Sequence, residues 1–208
     1  MKKIHAGFSL TICAALFGLS LSGAVSAADV AKLVEPCLSC HGKDGVSTEA
    51  DVPSIASLSE VYLTGTLEKF QKKERPCIES EIREGSQKGT RTDMCKSVKG
   101  LSASDIQQIA EYFAAKTFVR TPQVFDAALA KKGKQLHNSR CDTCHSISGT
   151  LPSDDTGILG GQKMTYLKNE IKHFKEGKRP INKKMKPKLD ALSDAEIESL
   201  IHFYGSVQ

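Results

Sequence analysis

Apolar residues recur at helical spacing in several stretches of the chain, and no run alternates with the period of a strand. Ile106, Ile109, Ala110 and Phe113 share one helix face, as do Ile197, Leu200, Ile201 and Tyr204. Ahead of each set a Ser is followed three residues later by an acid, Ser102 with Asp105 and Ser193 with Glu196. This is the pattern of a capping box, in which the hydroxyl accepts from a free backbone N–H and the acid reaches back to the cap. Further helices are predicted through Val61 to Phe70, Met164 to Phe174 and Phe125 to His137; the first two are each closed near an Arg-Pro that discourages continuation. The pattern predicts an all-α fold.

The N-terminal apolar stretch, Phe8 to Leu21, stands apart. It follows the basic start Met1-Lys2-Lys3 and precedes the small residues Val25-Ser26-Ala27, the layout of a secretory signal cut before Ala28. It is shorter than the roughly 18 residues that suggest a membrane span, so no membrane span is expected. Cys13 reads as signal filler, because Ile12 is bulky where a lipoprotein box wants a small residue. Residues 1–27 are therefore expected to be a leader, and the mature chain to be periplasmic.

The mature chain repeats itself. Cys37-Leu38-Ser39-Cys40-His41 returns as Cys141-Asp142-Thr143-Cys144-His145 at an offset of 104, which also carries Tyr62-Leu63 to Tyr166-Leu167, Phe70 to Phe174 and Arg75-Pro76 to Arg179-Pro180. Beyond that the offset falls to 91, with Met94 mapping to Met185 and Leu101-Ser102 to Leu192-Ser193. The first half thus holds a 13-residue insertion between Pro76 and Met94. Two domains are expected, 28–118 and 119–208, with the boundary near Phe118 to Pro122. Halves of this size with 6% aromatic residues and no Trp are short of core volume, which a large buried prosthetic group would supply.

Charge adds little about nucleic acid, which is not expected, but it does separate the halves. Residues 28–118 carry 12 basic and 14 acidic side chains, a net of −2, and residues 119–208 carry 15 and 10, a net of +5. The seven cysteines say more. In a CxxCH motif two thiols can add to the vinyl groups of one haem, and the next His is held as proximal iron ligand. Two such motifs at one offset point to two covalently bound haem c groups, one on Cys37 and Cys40 with His41, the other on Cys141 and Cys144 with His145. A thioredoxin-like redox pair would want a βαβ pattern, and zinc ribbons space their Cys pairs about 15–20 residues apart.

The sixth ligand sets what such a haem does. Met94 and Met185 occupy equivalent places, each seven residues before the Leu-Ser that opens the last helix. The run Lys183-Lys184-Met185-Lys186-Pro187 is too polar for core filling, so thioether ligation, which closes the iron to small ligands, is expected at both. Met164 is assigned to packing; His137, His173 and His202 read as structural or surface groups, with bis-His ligation the alternative. Cys77 and Cys95 bracket the insertion, a placement that favours a disulfide in an oxidising compartment; a soft-metal site or reactive thiol pair is the alternative. A catalytic dihaem peroxidase would need an open iron position, so no catalytic residue is assigned and the chain is not expected to act as an enzyme on its own.

These residues resemble the tandem class I cytochromes c, namely the dihaem cytochromes of the c4 type and the cytochrome subunit of flavocytochrome c sulfide dehydrogenase. The second half looks more like the latter, through FDAALAKKGKQLHNSRCDTCH (125–145), Ile158-Leu159-Gly160-Gly161-Gln162 with Tyr166-Leu167, and Arg179-Pro180 followed by Lys183-Lys184-Met185. The first half departs through Cys77, Cys95 and the loop between them. What the resemblance implies is two cytochrome c domains, each wrapped around one haem, in a heterodimer with an FAD-containing subunit that oxidises sulfide. This chain would take electrons one at a time and pass them to a soluble c-type cytochrome. The alternative it implies is a free-standing c4-like carrier to a terminal oxidase.

Overall fold

The structure is a computed structural model that describes residues 27–208. The expected leader, Cys13 included, lies outside the described residues except for Ala27. The first half holds α1 (Ala27–His41), α2 (Glu60–Gln71), α3 (Met94–Val98) and α4 (Ala103–Ala114). The second holds α5 (Ala127–Arg140), the single turn α6 (Ser146–Gly149), α7 (Met164–Lys175), α8 (Lys186–Asp190) and α9 (Asp194–Ser206). The fold is all-α, built as two tandem helical units.

One expectation is corrected. Within the insertion lies a small antiparallel ribbon, β1 (Ser80–Glu81) and β2 (Arg91–Thr92), with Ser80 opposite Thr92 and Glu81 opposite Arg91. Two residues per strand are too few to display an alternating pattern, so nothing in the sequence announces it.

Both capping boxes form. The Ser102 and Ser193 hydroxyls accept from Asp105 N and Glu196 N, and each acid accepts from the backbone N–H of its Ser. The ends of α2 and α7 are set by a different device from the one expected. At the equivalent positions Lys73 and Gly177 the backbone turns left-handed, with φ of 56° and 69°. Glu74 N then donates to Lys69 O, and Lys178 N to His173 O. These are Schellman-type ends that stop each helix four residues before its Arg-Pro.

Each half has its own core. In the first, Val34 of α1 meets Leu63, Leu67 and Phe70 of α2 and Ile106, Ile109, Ala110 and Phe113 of α4, while Ile158 reaches in from the second half. Full burial of a side chain such as Phe113 is worth roughly 1.5–3 kcal/mol. In the second, Leu167, Leu189 and Leu192 pack against Ile197, Leu200, Ile201, Phe203 and Tyr204. Helices α5 and α9 cross closely because of Gly133: a Cβ there would stand 2.0 Å from the Ser199 carbonyl oxygen.

Buried polar groups join the halves. Gln162 Nε2 donates to Ser54 O at 2.8 Å, and Ser54 N donates to Gln162 Oε1 at 3.0 Å. Tyr166 N donates to Ala50 O nearby. No helix among the described residues is long and apolar enough to cross a membrane.

Candidate functional site

In the first half Cys37, Cys40 and His41 occupy the last turns of α1. His41 is buried, and its Nδ1 lies 2.9 Å from Pro53 O. A carbonyl can only accept, so Nδ1 carries the proton and Nε2 keeps its lone pair. Burial lowers the pKa of His41 and so favours the neutral ring that metal ligation requires. Cys37 is an unpaired thiol that burial pushes up to about 11. Met94 opens α3 and packs, with Cys37, against the first core. The turn holding Met94 is fixed by Asp93, whose carboxylate accepts from Lys96 N at 2.9 Å.

The second motif is held differently. Helix α5 ends at Arg140, and Cys141 to Cys144 continue as turns rather than as helix. Thr156 Oγ1 donates to Cys144 O at 3.0 Å and lies 3.1 Å from His145 Nδ1. Its one proton being spent on the carbonyl, the hydroxyl accepts from Nδ1–H, and Nε2 is again left with a free lone pair. Burial lowers the pKa of His145, as it does that of His41. Met185 immediately precedes α8 and packs against the second core.

His137, His173 and His202 have structural partners. His137 is fully buried, with Nδ1 3.1 Å from Tyr204 Oη and Nε2 3.3 Å from Asp142 Oδ1. His173 faces Glu170 at 3.4 Å, and His202 Nδ1 accepts from Asp126 N at 2.9 Å. Met164 packs against Gly205 in the last turn of α9. Cys77 and Cys95 are joined by a disulfide across 5.5 Å between Cα atoms.

The donors fit haem c. Each half presents two unpaired thiols, a neutral His with a free Nε2 and a half-buried Met thioether. A buried donor is also left over for a carboxylate-bearing group. Arg75 is only 4% exposed, and its Nε has no hydrogen-bond partner among the described residues.

Arg75 belongs to a cluster between the halves that the sequence reading missed. Its Nη2 lies 2.7 Å from Glu170 Oε2, and Arg179 Nη1 donates to the same oxygen. The equivalent arginines also stack on equivalent rings, Arg75 on Phe70 at 4.4 Å and Arg179 on Phe174 at 4.3 Å. Arg179 reaches Tyr62 Oη at 3.3 Å. Burial pushes Tyr62 up, but Arg179 and Arg75 outweigh it and leave the phenol below its ordinary value; burial pushes Tyr166 up to about 12. A cavity of about 220 Å³ opens beside the cluster, lined by Tyr62, Lys69, Arg75 and Arg179 among others. The sequence carries a signal for it, since Tyr62, Phe70 and Arg75 all recur at the 104 offset as Tyr166, Phe174 and Arg179.

Two helical units, each carrying a CxxCH motif and a half-buried Met, make up a tandem c-type cytochrome. Comparison with known proteins gives the same class. A family model described as cytochrome C oxidase, cbb3-type, subunit III matches residues 128–203. Cytochrome c4 of Pseudomonas aeruginosa is 30% identical over 188 residues, covering 86% of this chain and 84% of its own. The crystal structure of reduced cytochrome c4 from Pseudomonas stutzeri superposes with a TM-score of 0.70 at 27% identity, over 89% of this chain and all of that one. A thiosulfate dehydrogenase electron acceptor of Thiomonas intermedia is 26% identical, covering 69% and 64% of the two chains. The chain belongs to the cytochrome c4 family. It is a dihaem electron carrier with two haem c groups.

Proposed function

We propose that this chain is a periplasmic electron-transfer subunit that accepts electrons from an FAD-containing sulfide dehydrogenase subunit and passes them one at a time to a soluble c-type cytochrome. In this reading Cys37 and Cys40 hold one haem, with His41 and Met94 on its iron, and Cys141 and Cys144 hold the other, with His145 and Met185. Residues 28–118 and 119–208 are the two domains, and residues 1–27 the leader that is removed. The observation that carries the proposal is the pairing of two equivalent ligand sets within one unit, fixed to each other by the buried Gln162–Ser54 and Arg75–Glu170–Arg179 contacts. Bound haem supplies reversible one-electron chemistry. In this reading the protein holds the His tautomers, the Met94 and Met185 thioethers would close the two irons, and the fixed relation of the two sites would let a two-electron flavin oxidation be taken up in single steps. The motifs of the second half and the likeness to a thiosulfate dehydrogenase electron acceptor support the choice of donor.

A second reading, a free-standing carrier to a terminal oxidase, is favoured by the cytochrome c4 relatives. The test is affinity purification of the tagged holoprotein from its own periplasm, followed by addition of sulfide. A co-purifying flavoprotein and sulfide-dependent reduction of both haems supports the first reading. A chain isolated without flavin, and reduced by a membrane quinol oxidoreductase but not by sulfide, selects the second.

A further inference from the structure

The two Met loops are equivalent in the repeat but opposite in electrostatic surroundings. Around Met94 the cations are matched by acids: Glu79 lies 3.3 Å from Arg91 and 3.5 Å from Lys96, and Asp93 lies 3.1 Å from Lys96. Around Met185, Asn182 to Lys188 contain four lysines and no acid, all four exposed, while Met185 itself is half-buried. Lys184 stands where the first half has Asp93, and Lys186 where it has the disulfide-bonded Cys95. Lys186 is tied to Asp190 at 2.6 Å. Among the described residues no carboxylate pairs with Lys183, Lys184 or Lys188.

We infer that this lysine collar around Met185 is the docking face for the electron acceptor, a diffusible redox protein that presents an acidic surface around its own electron-transfer edge. This rests on the carrier reading above and assigns its exit to the second half. The physical reason is kinetic. A permanently bound donor gains little from long-range attraction, whereas a diffusing acceptor is captured faster by a complementary field, by roughly 10- to 1,000-fold. The first half, whose Met loop is neutralised, has no such field to offer. In the step itself one electron leaves the reduced chain and reduces the acceptor by one; no bond forms or breaks and no proton moves.

The test uses the fully reduced holoprotein in stopped flow with two oxidants of opposite charge, plastocyanin as an acidic one-electron protein and tris(phenanthroline)cobalt(III) as a small cation. With plastocyanin the wild-type rate constant should fall about tenfold or more between low and high salt, as screening shortens the field. Lys183→Glu, Lys184→Glu and Lys188→Glu combined should lower the low-salt rate about tenfold or more and flatten the salt dependence. The same variant should react faster with the cobalt complex, which shows that it remains folded and redox-competent. Charge reversal at Lys73, Lys88 and Lys99 of the first half should change the plastocyanin rate less than about twofold. A salt-independent wild-type rate, or equal losses from the two triple variants, would overturn the docking assignment. Failure of reduced wild type to react with either oxidant would overturn the carrier reading itself.

Discussion

Gln162 and Ser54 lie 108 positions apart, yet they exchange two hydrogen bonds, the Gln162 amide donating to the Ser54 carbonyl at 2.8 Å and accepting from the Ser54 N–H at 3.0 Å. Both residues are 2% exposed or less. Ser54 directly follows Pro53, whose carbonyl holds His41. The clamp therefore joins the halves beside the proximal ligand proposed for the first haem. Gln162→Leu keeps the approximate volume but leaves both backbone groups of Ser54 buried and unpaired, at about 1–3 kcal/mol each. Denaturant unfolding of the oxidised holoprotein checks this, and a loss below about 0.5 kcal/mol would contradict it.

Glu170 is the acid shared by Arg75 and Arg179, with side chains 14%, 5% and 12% exposed. Removing one member of a buried charge group leaves the others uncompensated, so Glu170→Ala should cost about 3–5 kcal/mol. Adding Arg75→Met should recover part of the loss, because the stranded charge goes with it. A thermal-unfolding double-mutant cycle measures the recovery, and strictly additive losses would show that the cluster is not coupled.

The capping boxes make a pH prediction with a definite sign. Hydrogen bonds from Ser102 and Ser193 hold Asp105 and Glu196 below their ordinary values. Carboxylates depressed in the folded state add stability that is present above the usual carboxylate range and lost as pH falls through the lower, folded value. Stability should drop on acidification below about pH 4, and the slope should shrink in Asp105→Asn and Glu196→Gln, which remove the titrating carboxylates. Parallel slopes in wild type and variants would refute the assignment.

Met94 and Met185 can be separated spectroscopically. Met185→Ala should remove the Met–iron charge-transfer band of one haem and leave that of the other, so about half of the absorbance is lost. An unchanged spectrum would remove Met185 from the iron.

The disulfide lies next to only one of these sites. Cys77→Ser with Cys95→Ser opens a closure spanning 18 positions, with an expected loss of roughly 3 kcal/mol. Because Cys95 follows Met94 in α3, the perturbation should appear in the first haem's Met band and not in the second's. Equal changes in both bands, or in neither, would show that the bridge does not support the Met94 loop.

What could be read directly from the sequence was whatever is local in the chain. Helix periodicity, the Ser–acid caps and the CxxCH motifs all act within a few residues, and the repeat made each visible twice. The ribbon inside the insertion was not legible, because two paired residues per strand carry no period. Nor were the helix ends, where the left-handed turn falls on Lys73 in one half and on the more recognisable Gly177 in the other. Free Nε2 atoms on His41 and His145 also depend on acceptors, Pro53 O and Thr156 Oγ1, that lie 12 and 11 residues away by different routes.

The sequence by itself determined the class of cofactor, the duplicated helical plan and the candidate ligands, since covalent attachment and helix formation need only neighbouring residues. Only the tertiary structure decided how the copies differ and how they meet. It placed Glu170 between two arginines that the repeat shows as mere equivalents, paired Gln162 with Ser54, and matched the cations around Met94 with acids while matching, of the four lysines around Met185, Lys186 alone. Pairing of buried polar groups and the field at a surface depend on distances through space, which residues far apart in the chain fix only once both cores have packed.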